Sequence, residues 1–466
     1  MVIFEASNFT LPTPSSLSSL PLTTSLSFEP SSLSLSLTHF DSSISLYPSF
    51  SISDSTLPQS QTLIPSPSSS SAFLLLRRHR SPDSTPRVVF IVAGPHRSFI
   101  LLRFYILNTI GNVFYRPKSV FCGDCKDLRF EPNLGVLVNS KHGVSIKVSG
   151  SVNYFAMYSV SSAKVWIFAL KIDDDDDDGE VVRLMRCAVI ECLRPVWSVS
   201  VSFGMLLLGE ENGVRVFGLR RLVKGKVKKV RNFNSKVPNG GSVRDYGKNG
   251  KHGVAVKQAN VKQNEGVCFM ALKGKGVETK SISKVPISVK VISIQALSQR
   301  MFLILDSDGD LHLLSLSNSG IGVDITGHVR QLPHIMNVQN LAVLPDVSTM
   351  SQIVWISDGC HSVYLFNATD VENALNEADG DDGDKKLMHL PVNQVLFSGE
   401  KIQDIICLAS NSILILGQVF SRHGNRFSVH GDYGVSLHTA YPPQDSREIK
   451  IPGSLDILMR TCVVPG

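Results

Sequence analysis

The stretch MLLLGEENGVRVF, residues 205–217, decides the fold class of this chain. It consists of an apolar run, a polar turn that contains Asn212 and Gly213, and a second run in which apolar residues alternate. Asn-Gly is among the strongest signals for a tight hairpin turn, because both residues tolerate positive φ angles. The stretch therefore predicts two antiparallel β-strands joined by a short turn.

The same pattern recurs at regular intervals along the chain. Residues 154–168, 301–314 and 353–366 repeat it, with turns near positions 162, 309 and 359. Apolar strands also precede the later hairpins, at residues 196–201, 291–297 and 338–344. A period of roughly 40 to 50 residues with four strands in each unit is typical of a β-propeller.

Extending this repeat outward gives the predicted domain organisation. A further unit is expected between the second and third hairpins, with strands at residues 267–272 and 277–282 and a turn at 273–276. At about 40 to 45 residues per blade, residues 88–420 then hold roughly seven blades once the inserted loops are set aside. The sequence predicts an all-β fold, a β-propeller of roughly seven degenerate blades.

The two ends of the chain differ from this core. Residues 1–87 are rich in Ser, Pro and Leu, which predicts a disordered leader. A transit peptide is the alternative, but no Lys or Arg precedes Arg77, and such peptides carry positive charge. Residues 421–466 lose the strand rhythm and predict an irregular tail, either an incomplete last blade or the end of a truncated version of a longer chain.

Three strand endings carry a resemblance to a known family. Residues 165–168, 214–217 and 363–366 resemble degenerate forms of the repeat ending in WD40 (transducin-like) propellers. Residues 197–222 are similar to plant members of that superfamily. None of the three tryptophans, Trp166, Trp197 and Trp355, is followed by Asp, so the histidine–aspartate network of standard blades is expected to be largely absent. The resemblance implies a non-enzymatic scaffold that binds protein partners.

A strongly basic segment, residues 220–263, interrupts the repeat. Within it, Lys226, Lys228, Lys229 and Arg231 have the form of a nuclear-import signal or of a contact for an acidic partner. The alternative function is a nuclear factor that touches nucleic acid or chromatin through this segment, without base specificity and with strong salt dependence. A solvated loop between blades is the other interpretation. The acidic runs at 173–178 and 372–384 are interpreted as solvated loops.

Catalytic and metal-binding motifs are missing from the sequence. Cys122-Gly123-Asp124-Cys125 is a lone Cys-x-x-Cys pair, and a structural zinc site needs two more ligands. The acidic stretch at residues 306–310 lies where the repeat requires a hairpin turn. No phosphate-binding loop, nucleophile elbow or His-Glu-x-x-His motif occurs. We therefore expect no enzymatic activity, no cofactor and no metal. The expected site residues, besides the basic run, are the hairpin turn glycines Gly213, Gly309 and Gly359.

Overall composition limits the remaining classes. Charged residues make up 18% of the chain and the net charge is +6, from 46 basic and 40 acidic residues. Eight cysteines in 466 residues do not form a disulfide framework. No apolar run is long enough to cross a bilayer, so no membrane contact is expected. The predicted location is the cytoplasm, the nucleus or both, with organelle import less favoured, and the sequence indicates no oligomeric state.

Overall fold

The computed structural model of the chain consists almost entirely of β-strands. It describes residues 5–9, 22–50, 62–77, 85–123, 125–140, 145–173, 181–224, 254–257, 267–272, 288–318, 325–333, 336–344, 353–368, 394–397, 401–409, 412–420, 431–432 and 459–463. One short helix has both of its ends among these residues, α1 (Leu219–Val223).

The strands follow one another with short intervals over most of the chain. In the first half they are β1 (Glu5–Phe9), β2 (Thr23–Glu29), β3 (Ser34–His39), β4 (Ile44–Tyr47), β5 (Thr62–Ile64), β6 (Ser70–Leu76), β7 (Arg87–His96), β8 (Phe99–Asn108), β9 (Val113–Tyr115), β10 (Ser119–Phe121), β11 (Leu128–Glu131), β12 (Gly135–Val138), β13 (Ile146–Gly150), β14 (Tyr154–Ser159), β15 (Lys164–Asp173), β16 (Val181–Glu191), β17 (Ser198–Ser202), β18 (Met205–Glu210) and β19 (Gly213–Gly218). In the second half they are β20 (Val254–Lys257), β21 (Val267–Ala271), β22 (Val291–Ala296), β23 (Met301–Asp306), β24 (Leu311–Asn318), β25 (Ile325–Gln331), β26 (Asn340–Val343), β27 (Ile353–Ser357), β28 (Ser362–Asn367), β29 (Gln394–Phe397), β30 (Lys401–Ala409), β31 (Ser412–Phe420), β32 (Gly431–Asp432) and β33 (Met459–Val463).

These strands pair into seven sheets. Six of them, which we call blades 1 to 6, are each built on four successive antiparallel strands from one stretch of chain. Their main strands are β2–β5, β6–β7–β8–β12, β13–β16, β17–β18–β19–β21, β22–β25 and β26–β29. The seventh, which we call the closing sheet, has the order β1–β33–β31–β30 and so joins strands from both ends of the chain.

The sheets are arranged in a ring. The first strand of each, the innermost strand, packs against the innermost strand of the next, in the order β2, β6, β13, β17, β22, β26, β30 and back to β2. Seven buried apolar clusters lie between neighbouring sheets, one at each junction. Between blades 2 and 3, for example, the rings of Phe155 and Phe168 stack with centroids 4.9 Å apart. Because every sheet buries apolar surface against two neighbours, the ring forms one continuous core.

The junction between the closing sheet and blade 1 also contains a buried carboxyl group. Asp404 on β30 accepts the backbone N–H of Leu26 on β2 at 2.8 Å and that of Ile405 at 2.9 Å. Burial raises the pKa of Asp404 to about 6, because the desolvation of the carboxylate outweighs these two hydrogen bonds. The junction that completes the ring therefore depends on a polar group as well as on apolar packing.

The ring has two faces with different kinds of connection. The turn face carries the turns between the second and third strands and the links from one blade to the next. The insertion face carries the turns between the first and second strands and the connections between the third and fourth strands. Most of the long connections belong to the insertion face: residues 109–134 in blade 2, 174–180 in blade 3, 219–266 in blade 4 and 368–393 in blade 6. By the same topology, residues 272–290, which link blade 4 to blade 5, and residues 421–458, which link β31 to β33, belong to the turn face.

The outer edge of blade 3 is covered by two other segments of the chain. Strand β10 pairs in parallel with residues 181–183 of β16, and β20 pairs in parallel with residues 188–191. Strand β20 comes from the basic connection of blade 4, so this connection contacts the neighbouring blade. An uncovered edge strand is an available template for pairing with other chains, and these segments cover part of it.

The all-β propeller fold is confirmed, with a correction to the number and place of the blades. Residues 88–420 contribute to six of the sheets, blades 2 to 6 and the closing sheet, and not to roughly seven. The unit predicted at residues 267–282 is not a separate blade. Its first strand is β21, which pairs with β19 as the fourth strand of blade 4, and residues 277–282 lie outside the described residues. The long insertion before β21 produced the false extra repeat.

The disordered leader predicted for residues 1–87 is wrong for the part that is described. Strands β2–β5 form blade 1, and β6 is the innermost strand of blade 2. Alternation explains this result: Leu35 and Leu37 are fully buried between serines, as on one face of a strand. In the predicted irregular tail, β33 pairs with both β31 and β1, and β32 pairs with β31. The rest of residues 421–466 lies outside the described residues.

Candidate functional site

On the turn face, hairpin turns are held against the segments that lead into the next blade. The backbone N–H of Val338, just before β26, donates to the carbonyl of Gly309 at 3.1 Å. The N–H of Ile402 donates to the carbonyl of Cys360 at 2.8 Å, and that of Cys192 donates to the carbonyl of Ala163 at 2.7 Å. These hydrogen bonds repeat around the ring, so the turn face is a firmly connected surface.

The three predicted turn glycines occupy two different positions. Gly309 and Gly359 lie within their turns at φ +79° and +68°, where glycine is favoured. Gly213 is instead the first residue of β19, and Asn212 takes the positive φ of +57° in that turn. A Cβ atom on Gly309 would lie 1.8 Å from Asn337 Oδ1 and 3.0 Å from the Val338 nitrogen. The turn thus needs glycine both for its backbone angle and for its close approach to the next blade.

A buried carboxylate organises the turn of blade 5. Asp306 Oδ1 accepts the backbone N–H groups of Asp308 and Asp310, each at 2.9 Å. Its Oδ2 atom lies 2.7 Å from His312 Nε2, and both side chains are almost fully buried. The turn interpretation of residues 306–310 is confirmed. Sequence reasoning did not identify this pair, because Asp306 and His312 are on opposite strands of a hairpin and match no standard repeat motif.

Three side chains from three consecutive blades meet on the turn face around Trp197. Trp197 directly precedes the innermost strand β17, Lys147 is near the start of β13, and Lys290 directly precedes β22. The Lys147 ammonium donates to the backbone carbonyl of Trp197. The Lys290 ammonium lies over the indole ring, 4.3 Å from its centroid, in cation–π geometry. We call these three residues the Trp197 cluster.

The Trp197 cluster carries more donors than acceptors. Neither Lys147 nor Lys290 forms an ion pair with a carboxylate of the described residues. The Trp197 indole Nε1 is buried and meets no acceptor among those residues. Burial also lowers the pKa of Lys147, because its ammonium is partly removed from water. The cluster therefore presents two ammonium groups without an ion-pair partner among the described residues, at the turn-face ends of the innermost strands, and Glu211 is the β-bridge partner of Lys290 there.

A second charged group beside the cluster is neutralised. Glu210, fully buried at the end of β18, accepts hydrogen bonds from Arg215 Nε at 2.6 Å and Arg215 Nη2 at 3.1 Å. The Arg215 guanidinium also lies 5.0 Å from the centroid of the Phe269 ring. This bidentate pair joins β18 to β19 and leaves little charge for a ligand. It fixes the hairpin of residues 205–217 next to the Trp197 cluster.

Exposed apolar side chains flank the cluster on the blade 3 side. Val160, in the turn between β14 and β15, is 46% exposed, and Leu193, in the link to blade 4, is 66% exposed. The hydrogen bond from Cys192 to Ala163 brings their two segments together. Large apolar side chains beside unpaired charge are common at surfaces that bind other proteins.

The predicted basic contact residues, Lys226, Lys228, Lys229 and Arg231, lie outside the described residues. The described ends of their connection are α1, on the insertion face, and β20, on the outer edge of blade 3. Sequence reasoning missed the Trp197 cluster, because its three residues are far apart in sequence and follow no motif.

The cysteines and acidic residues that the structure describes show no metal-binding arrangement. No group of three or more His, Cys, Asp or Glu side chains within the described ranges is placed to hold a metal ion. Burial raises the pKa of Cys122 to about 11, which keeps this thiol protonated at neutral pH. A cavity between blades 5 and 6, lined by residues that include Met336 and Val338, has a volume of about 10 Å³ and admits a single water molecule.

No helix in the described part of the chain has the length and apolar character needed to cross a membrane.

Comparisons with known proteins give structural neighbours only. The chain matches no protein-family profile and no curated protein. Among solved structures, it is similar to the WD40 repeats of RRP9 at 9% identity, covering 99% of this chain and 100% of that one, with a TM-score of 0.44. It is also similar to a chain of the Chaetomium thermophilum Polycomb Repressive Complex 2 at 9% identity, covering 90% of this chain and 96% of that one, with a TM-score of 0.48. A third neighbour is the Cps50 (Swd1) β-propeller domain of Myceliophteria thermophila, at 8% identity, covering 86% of this chain and 95% of that one, with a TM-score of 0.44. These neighbours are WD40 β-propeller proteins, and the likenesses are loose. The fold assignment rests on the strand pairing of this chain itself.

Proposed function

We propose that this chain is a non-enzymatic scaffold that binds protein partners on the turn face of its propeller. The observation that carries the proposal is the Trp197 cluster, whose two ammonium groups form no ion pair with the described residues and lie beside exposed apolar side chains, on a surface held by its turns. The buried pairs Asp306–His312 and Glu210–Arg215 support the non-enzymatic part, because the Asp306 and Glu210 carboxylates accept hydrogen bonds that hold their hairpins together.

Affinity purification with quantitative mass spectrometry tests this function. The tagged wild-type chain is compared with Leu193→Asp on the turn face and with Ile110→Asp on the insertion face, where Ile110 is 98% exposed. We expect Leu193→Asp to lose a defined set of partners and Ile110→Asp to retain it. Thermal unfolding of both variants provides the folding control. Equal recovery with all three chains, or no stable partner of the wild-type chain, would contradict the proposal.

The second candidate function is that of a nuclear factor that uses residues 220–263 to contact nucleic acid or chromatin. The pairing of β20 with β16 favours this function, because it anchors the basic connection to the propeller at the outer edge of blade 3. A fluorescent fusion with Lys226, Lys228, Lys229 and Arg231 all changed to Ala should lose a nuclear signal that the unchanged fusion shows. The same non-nuclear distribution for both fusions would exclude this function. The resemblance to plant proteins likewise stays a prediction.

A further inference from the structure

We propose that the Trp197 cluster binds the carboxylate side chains of an acidic peptide segment from a partner protein. This inference rests on the proposed scaffold function and specifies the chemistry of the partner at that surface. The Trp197 carbonyl, which Lys147 contacts, is the only hydrogen-bond acceptor that the described residues give to the two ammonium groups.

Lys147 and Lys290 together have more N–H donors than the described residues accept. An ammonium group has three N–H donors, and Lys147 uses one hydrogen-bond partner here. The Lys290 ammonium lies over the π system of Trp197 and forms no ion pair with Glu211, its β-bridge partner. A carboxylate offers two acceptor oxygens and a compensating negative charge, so it can satisfy both ammonium groups at once. The partly desolvated position of Lys147 strengthens such a contact, since burial reduces screening by water.

The strand topology indicates where the acidic segment comes from. The acidic run that starts at Asp173 leaves its blade at the end of β15, and the one at residues 372–384 belongs to the connection after β28. Both of these connections leave their blades on the insertion face, whereas Lys147, Trp197 and Lys290 are on the turn face. The occupant is therefore expected to belong to another protein.

Two further features suit a peptide more than a small anion. Val160 and Leu193 provide apolar contacts beside the cluster. Glu210 is neutralised by Arg215, so this buried carboxylate does not repel an acidic ligand. An extended segment that carries carboxylates and one apolar residue matches this arrangement.

Fluorescence anisotropy with the full-length chain tests the inference. The probe is a fluorescein-labelled peptide of six consecutive Asp residues flanked by Gly and Leu, and its matched control contains Asn in place of Asp. We expect the acidic peptide to bind at 50 mM salt, the Asn peptide to bind at least about tenfold more weakly, and the affinity to fall at 300 mM salt. Equal binding of the two peptides would overturn the inference.

Lysine variants locate the contact. Lys147→Gln and Lys290→Gln should each weaken binding of the acidic peptide about fivefold, and Lys290→Arg should retain it because the charge stays. Lys171→Gln, at an exposed lysine near the insertion-face end of β15, is the matched control and should change the affinity less than about twofold. An equal loss with Lys171→Gln would contradict the proposed site. Displacement of the peptide by a lower concentration of a uridine oligonucleotide would show that the ligand is a nucleic acid.

The outcomes separate this inference from the proposed function. If the acidic peptide does not bind while Leu193→Asp still loses its protein partners, the turn face is an interaction surface and the ligand chemistry proposed here is wrong. If the peptide binds through Lys147 and Lys290 but no partner depends on the turn face, the scaffold function fails and the carboxylate site stands. Thermal unfolding of each variant shows whether a loss of binding comes from loss of the fold.

Discussion

The turn face and the insertion face connect the strands of the ring in different ways. On the turn face, the described hairpin turns are short, and several of them are hydrogen-bonded to a neighbouring segment, as at Gly309 and Val338. On the insertion face, residues 219–266 and 368–393 form long connections between paired strands. The difference teaches that this ring fixes its short hairpin turns on one face and takes most of its long insertions, those between third and fourth strands, on the other. Long surface insertions require little extra loop-closure free energy, which makes this division possible.

The largest expected effect compares one glycine from each face. Gly309→Ala on the turn face must accept a positive φ angle and a Cβ atom in contact with the segment before β26, whereas Gly204 on the insertion face has φ +74° and open space around it. We expect Gly309→Ala to lower the free energy of unfolding by about 3 kcal/mol and Gly204→Ala by about 1 kcal/mol. Chemical denaturation of both variants measures the difference. Equal losses would mean that the turn contacts do not stabilise the ring.

A somewhat smaller effect on stability is expected at the junction between the closing sheet and blade 1, which lies between the two faces. The pKa of Asp404 is raised to about 6 in the folded chain, from an ordinary value of 3.8. The folded state therefore holds this proton over a wider pH range than the unfolded state does, and its contribution to stability falls as the pH rises from about 4 to about 6. A pKa difference of about two between the folded and unfolded states corresponds to about 3 kcal/mol.

The variant Asp404→Asn lacks the titrating carboxyl group and is the reference for the wild-type chain. We expect the free energy of unfolding of the wild-type chain, relative to that of the Asn variant, to decrease by about 2 to 3 kcal/mol between pH 4 and pH 7. Urea denaturation at several pH values gives the two curves. Parallel curves would show that the pKa of Asp404 does not differ between the folded and unfolded states. The polar group would then make no pH-dependent contribution to the stability of this junction.

The smallest expected effect is on the insertion face. Replacing residues 225–253 with a short Gly/Ser linker leaves α1, β20 and β21 in place. We expect the free energy of unfolding to change by less than about 1 kcal/mol, because loop-closure free energy depends only weakly on loop length. Differential scanning calorimetry provides the measurement. A loss of several kcal/mol would break the contrast between the faces and assign a structural role to the basic connection.

The hairpins could be predicted from the sequence because their signals are local. The turns at residues 205–217 and 353–366 show alternating apolar strands around Asn-Gly or Asp-Gly, and β18–β19 and β27–β28 confirm them. Blade 1 was missed for a compositional reason. Its serines suggested disorder, although Ser34 and Ser36 are themselves buried within strand β3, and Ser34 Oγ donates to the carbonyl of Pro48.

The candidate site could not be predicted, because it depends on the order of the blades around the ring. Lys147, Trp197 and Lys290 each lie near the start of a different innermost strand, and only the ring places these starts side by side. The fourth strand of blade 4 was misassigned for a related reason. A long insertion separates β19 from β21, so the sequence shows the pair as members of two repeats.

The closing sheet has a consequence for how the chain folds while it is being synthesised. Strand β1 pairs with β33, so residues 5–9 wait for residues 459–463 to be translated. At about 5 to 20 residues per second, translation of the stretch between these two strands takes roughly 20 to 90 seconds. During that interval the blades can form one after another, but blade 1 has no neighbour on its β30 side. A nascent chain of this protein therefore exposes the apolar flank of blade 1 until β30 and β31 have been synthesised, and chaperones can bind that flank in the meantime.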